Sequence, residues 1–346
     1  MNKRIQALLS LLISASLLQA SAHSQNGSEH KLQVVATDGV LASMAKAVGG
    51  ERVEVQALSS PRQDPHFVEP RPTLMQRARE ADVFIEVGLQ LELWAQKVVD
   101  GSGNPRIQTG QPGRIVASQG ITTLELPSSL SREWGDVHPN GNPHVWLDPL
   151  NACEMAGNIA AGLARVDSAH ADEYAQRAET YQKDLVERLF GRDLCTEIGA
   201  SKLARLARQG RLTEYLDSHQ LAGKLGGWLK RAEPLRGKPI VSYHKTFVYL
   251  ADRFELKIAA EIEEKPGIPP SARHRDAVLA LMQEQKVHTI LQEIFYDRTA
   301  ADYLAERTGA RVAVVPIDVG ADVGLDGYPA LIDHLLDELL ESGTAR

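Results

Sequence analysis

Cysteine is nearly absent: Cys153 and Cys195 are the two in 346 residues. Two thiols cannot make a disulfide framework, and alone they cannot make a four-thiolate zinc site. Aromatic residues are scarce at 5%, which argues against a stacking surface for bases or sugars. Long basic runs are missing, and 38 Lys and Arg against 45 Asp and Glu leave a net charge of −7. An acidic chain of this kind is a poor match for a polyphosphate, so no nucleic-acid partner is expected. Beyond the N-terminal segment, no apolar stretch approaches the roughly 18 residues that mark a membrane-spanning helix. The segments His-Glu-x-x-His and Gly-x-Ser-x-Gly do not occur, which removes two common hydrolase signatures. What remains is ordinary globular composition, 43% hydrophobic and 24% charged. The length predicts about two domains.

The N-terminus reads as a targeting segment. Lys3 and Arg4 precede an apolar run from Ile5 to Leu18, and Ala20-Ser21-Ala22 offers a small-x-small cleavage pattern. Residues 1–22 are therefore expected to be a cleaved signal peptide and 23–30 a polar, disordered leader. No cysteine lies near the cleavage point, so no lipid anchor is expected there. The expected location is a bacterial periplasm.

From Lys31 the chain alternates between β-branched strands and helices. Strands are expected at Leu32–Ala36, Val53–Leu58, Val83–Val87 and Arg114–Ala117, with helices between them. The first lobe covers 31–149. Residues 150–190 read as linking helices. Their second stretch runs to Leu189, about 23 residues or roughly 34 Å, and is long enough to be a rigid connector. Residues 191–234 read as a less regular helical insertion. The alternation restarts over 235–346, with strands at Pro239–Tyr243, Leu256–Ala260, Val287–Leu291 and Arg311–Val315, and a closing helix at Tyr328–Glu341. The expected class is α/β: two βα lobes, each with a roughly four-stranded, mainly parallel sheet, linked by a long rigid helix. The cleft between the lobes is the expected ligand site.

Four residues occur where such a protein keeps its chemistry. His66 sits in Gln63-Asp64-Pro65-His66-Phe67, just after the second strand. His144 sits in Asn142-Pro143-His144-Val145-Trp146-Leu147-Asp148, at the end of the first lobe. His244 follows Val241-Ser242-Tyr243, and Asp318 follows Val314-Val315-Pro316-Ile317, both at carboxyl ends of strands. Imidazole suits first-row transition metals, and one carboxylate would complete a four-ligand shell. The prolines before His66 and His144 restrict the loops that present the rings. Asp64 and Asp148 are nearby carboxylates able to hold the non-ligating ring nitrogens. His138, His170, His219, His274, His288 and His334 read as ordinary surface or core residues.

At these motifs the sequence resembles the zinc- or manganese-binding proteins of ABC transporters. The matching stretches are Asp64-Pro65-His66-Phe67-Val68-Glu69-Pro70, Asn142-Pro143-His144-Val145-Trp146-Leu147-Asp148-Pro149 and Tyr243-His244-Lys245-Thr246-Phe247-Val248-Tyr249-Leu250. Glu263 to Ser271 and Gln292-Glu293 match further positions. The resemblance implies two lobes bridged by a stiff helix, with the metal in the cleft on His66, His144, His244 and Asp318. It also implies an inner-membrane ABC permease as partner, a monomer, and no enzymatic activity. Many zinc-binding relatives carry a histidine-rich loop before the second histidine motif. Here that stretch offers mainly Glu133, Asp136 and His138.

Three imidazoles and one carboxylate favour Zn²⁺ over the harder Mn²⁺. Mn²⁺ or Fe²⁺ is the alternative cargo. A secreted zinc hydrolase, with Asp318 as a base, is the rival class, and an adhesin is a third. For Cys153 and Cys195, a disulfide and two buried thiols both stay open. The compartment permits a bridge, but the expected helix ends are offset by roughly 12 Å.

Overall fold

The computed structural model describes residues 31–127, 138–265 and 267–344. The signal peptide and leader expected over 1–30 lie outside the described residues, as do Glu133 and Asp136.

The first sheet contains β1 (Leu32–Ala36), β2 (Val53–Ala57), β3 (Val83–Glu86) and β4 (Arg114–Val116), in the order β2-β1-β3-β4. The second contains β5 (Pro239–Ser242), β6 (Lys257–Glu261), β7 (Thr289–Glu293) and β8 (Arg311–Val315), in the order β6-β5-β7-β8. Every strand pair in both is parallel. Parallel sheets need cover on both faces, which explains the near-continuous apolar strands. All five residues of β7 are buried, including Gln292 and Glu293.

Helices α1 (Gly39–Gly49), α2 (Pro72–Arg79) and α3 (Ala95–Ser102) cover the first sheet. Asp38 caps α1 by accepting from Leu41 N at 2.7 Å. The linking pair is α4 (Pro149–Val166) and α5 (Ala171–Phe190), of 18 and 20 residues. Asp148 caps α4 through Leu150 N at 2.9 Å, and Pro149 occupies the first helical position, where a missing N–H costs nothing. The helices run antiparallel: Gln182, late in α5, donates to Cys153 O, early in α4, at 2.8 Å. At 1.5 Å per residue the longer of the two spans about 30 Å. The offset expected at roughly 12 Å is only two residues, because the first helix runs on at both ends to 18 residues and a 3-10 turn at Ser168–His170 takes up the start of the second stretch. Both cysteines are free and buried.

Four short helices follow: α6 (Arg192–Ile198), α7 (Ala200–Arg208), α8 (Leu212–Ser218) and α9 (Gly227–Ala232). The second sheet carries α10 (Val248–Phe254), α11 (Ala272–Gln285), α12 (Thr299–Thr308) and α13 (Tyr328–Thr344).

The strand alternation sorts side chains between separate cores. Val34 and Ala36 of β1 join a large cluster, whereas Val35 joins a smaller one with Leu58, Phe84 and Trp94. In β7, Leu291 belongs to the large cluster and Ile290 to a third. The large cluster runs from Val34 through α4 and α5 to Leu339. One apolar core therefore spans both lobes and the linking helices, and each lobe adds its own smaller core.

Candidate metal centre

His66 lies in a single 3-10 turn, Pro65–Phe67, in the loop after β2. His144 immediately precedes another, Val145–Leu147, just before α4. His244 follows β5 by one residue beyond Tyr243 and precedes a third such turn, Lys245–Phe247. In open α/β sheets, ligands bind outside the carboxyl ends of strands, where His66 and His244 both sit.

The fold brings these three rings together. Their ligand-type atoms all lie within 4.8 Å of one another. Ring centroids stand 5.2 Å apart for His66–His144, 5.5 Å for His66–His244 and 5.6 Å for His144–His244. His144 is 1% exposed and His244 4%.

Each ring is held by its Nδ1. Asp64 Oδ1 lies 2.8 Å from His66 Nδ1 and accepts the His66 amide at 2.9 Å. Asn142 Oδ1 lies 2.9 Å from His144 Nδ1 and accepts the His144 amide at 3.0 Å. Both loops share one device, an Asx residue, a proline and a histidine, in which one side-chain oxygen fixes backbone and ring together. Asn142 Nδ2 donates to Lys245 O at 2.6 Å, so its oxygen is the acceptor. His144 therefore carries its proton on Nδ1 and offers Nε2 bare. Glu263 Oε2 lies 2.5 Å from His244 Nδ1, and both groups are buried. Nε2 of His66 and of His144 are buried without a hydrogen-bond partner. Buried nitrogens left in that state fit a cation, because an unmet polar atom is costly in an apolar interior.

The electrostatics agree with that reading. Burial, reinforced by His66, His244 and His138, holds the His144 pKa well below the usual imidazole range. Asp64 is pushed up by burial, but the hydrogen bond and charge of His66 outweigh this and leave it low. It is therefore a carboxylate able to orient His66.

Asp318 is not brought into the group. Its carboxylate accepts from Gly39 N at 3.1 Å, Val40 N at 2.6 Å and Val319 N at 2.8 Å. It thus satisfies open amides at the N-terminus of α1. Gly39 makes that approach possible: a Cβ there would stand 2.0 Å from Val319 O. Asp148 does not hold His144 either. It caps α4 and pairs with Arg253, whose Nε and Nη2 each lie 2.7 Å from its oxygens. The same Asx-Pro-His spacing in both loops was the signal for Asn142.

His138, read from the sequence as an ordinary histidine, has its ring centroid 5.3 Å from that of His66. No periodicity in the sequence marks it. Deeper in the second lobe, Glu293 is fully buried and accepts from Thr246 Oγ1. Burial pushes its carboxyl up to about 8.

A family model for the periplasmic component A of the zinc-uptake complex matches residues 34–188 and 221–342. The chain belongs to that family. It is the metal-binding component of an ABC metal transport system. Among its relatives, the iron-binding protein YfeA of Yersinia pestis is 25% identical over 345 residues, 97% of this chain and 95% of that protein. The manganese ABC transporter substrate-binding lipoprotein PsaA of Streptococcus pneumoniae is 28% identical over 216 residues, 60% of this chain and 66% of that protein. A crystal structure of ZnuA superposes with a TM-score of 0.67 at 19% identity, covering 91% of this chain and all of that one. The family match leaves out residues 189–220, which hold α6, α7 and α8.

Proposed function

We propose that this protein captures Zn²⁺ in the periplasm and delivers it to an inner-membrane ABC permease. The observation that carries the reading is a donor set made of nitrogen. His66, His144 and His244 converge, and no carboxylate among the described residues belongs to the group. Zn²⁺ takes imidazole nitrogens in a tetrahedral shell, whereas Mn²⁺ prefers oxygen. Asp64 and Glu263 stand one step back, where they orient rings rather than bind the ion. His138, its ring beside that of His66, is a candidate for the fourth donor. Export through cleavage after Ala22 and action as a monomer complete the proposal. It is a binding protein: a fourth donor would close the shell and leave no open position for a hydrolytic water.

The alternative cargo is Fe²⁺ or Mn²⁺, supported by relatives named for iron and manganese. Calorimetric titration of metal-stripped protein with each ion decides. One zinc per chain, bound at least about tenfold more tightly than manganese or iron, is the expected result. Tighter manganese or iron binding would replace zinc by that ion.

A further inference from the structure

His144 lies on the chain between the first sheet and the linking helices. Asn142 beside it is tied to the first lobe through Leu124 O at 2.9 Å and Glu125 Oε2 at 3.2 Å, yet most side-chain bonds along 142–148 come from the second lobe. Asn142, which orients its ring, donates to Lys245 O at 2.6 Å. The Tyr249 hydroxyl donates to Asn142 O at 2.7 Å and accepts from Leu124 N at 3.0 Å. Trp146 Nε1 donates to Ile317 O at 2.8 Å, and Tyr328 donates to Trp146 O at 2.7 Å. Arg253 grips Asp148 at the far end. Lys245, Tyr249 and Arg253 all belong to the segment that begins at His244. One face of that segment therefore runs alongside 142–148.

His66 is held differently. Its ring partner Asp64 is two residues away, and Trp94 Nε1, in the same lobe, donates to Pro65 O at 2.8 Å. Its loop meets the second lobe through Tyr296 on Asp64 at 3.2 Å and, at an exposed end, through Ser60 and Arg62 on Asp322.

We propose that Tyr249 and Arg253 are positioning residues for the metal. They hold the 142–148 segment, and with it His144, against the second lobe. His144 and His244 then form a preset pair, to which His66 is added from the first lobe. The inference rests on the three-histidine reading above. It extends that reading by naming groups that never touch the ion.

Zinc affinity of the full chain tests it in a mutant cycle, read by competition with a chromophoric chelator. Tyr249→Phe removes one hydroxyl and keeps the buried ring. Loss of an orienting partner typically weakens metal binding about 10–100-fold, so Tyr249→Phe is expected to weaken zinc binding about tenfold. The same loss should appear in a His66→Ala background. In a His144→Ala background it should shrink below about twofold, because the group being positioned is gone. A general loss of stability would act equally in both backgrounds, and that outcome overturns the proposal. Unchanged affinity in Tyr249→Phe alone also overturns it. Should that variant fail to fold, Arg253→Lys is run through the same cycle against the same criteria. Wild-type protein that binds no zinc would instead refute the underlying reading before any variant is compared.

Discussion

Asp318 Oδ1 accepts the amide of Val40 at 2.6 Å, across 278 residues of chain. The second lobe thus caps the first helix of the first lobe. Burial pushes the Asp318 carboxyl up to about 6 despite three amide donors. Asp38, at the same helix end, is raised well above the carboxylate range by burial and by Asp318. Two carboxyls share one helix terminus here. Asp318→Ala should cost about 1–2 kcal/mol of stability, the usual range for a lost cap or charged hydrogen bond. Its zinc affinity should change less than about threefold, within the scatter for a residue outside the metal shell. Chemical denaturation and calorimetry measure the two effects. A loss of affinity equal to that of His144→Ala would return Asp318 to the metal shell.

Removing a histidine should behave otherwise. His144→Ala or His244→Ala takes away a ligand, and zinc affinity should fall at least about tenfold. Calorimetry on metal-stripped protein reads this directly, and unchanged affinity in either variant contradicts the assignment.

Protons compete with zinc for imidazole, whose ordinary pKa is about 6.5, so binding should weaken below about pH 6. His144 is held neutral well below that range and should release no proton when zinc binds. A plot of log affinity against pH should therefore rise with a slope of at most about two protons. A three-proton slope would mean that His144 is protonated in the metal-free protein over this range.

Glu293 sets a different pH dependence. Its folded pKa is about 8, against an ordinary 4.5. The folded state then holds a proton that the unfolded chain has released. The resulting stability is fully present below about pH 4.5 and is lost as pH rises through about 8. Glu293→Gln has no proton to lose. Thermal melts of metal-free protein should show a flatter profile over that window, with the advantage of the variant growing toward alkaline pH. Parallel profiles would mean that Glu293 is not the group responsible.

Both thiols should be free and slow to react. Burial pushes Cys153 up to about 12 and Cys195 up to about 11, which starves each of thiolate. Titration without reductant should find two thiols in unfolded protein and almost none reacting in native protein. A result of zero in unfolded protein would establish a bridge.

The sequence by itself determined the secondary structure closely. Strand and helix periods are local, so β1 at Leu32–Ala36 and β8 at Arg311–Val315 could be placed to the residue. It also singled out His66, His144 and His244, because a proline before a histidine and a histidine at a strand end are patterns a few residues long. Only the tertiary structure decided what those residues meet. The partner of Asp318 is at Val40, that of Asp148 is Arg253, and His138 reaches His66. Each pairing joins segments about 70 or more residues apart in the sequence. No local period encodes such a meeting, since it depends on how two sheets and a helix pair pack into one core. Asn142 lies between the two cases. Its spacing to His144 is local, but the bond to Lys245 that fixes its amide crosses the lobes.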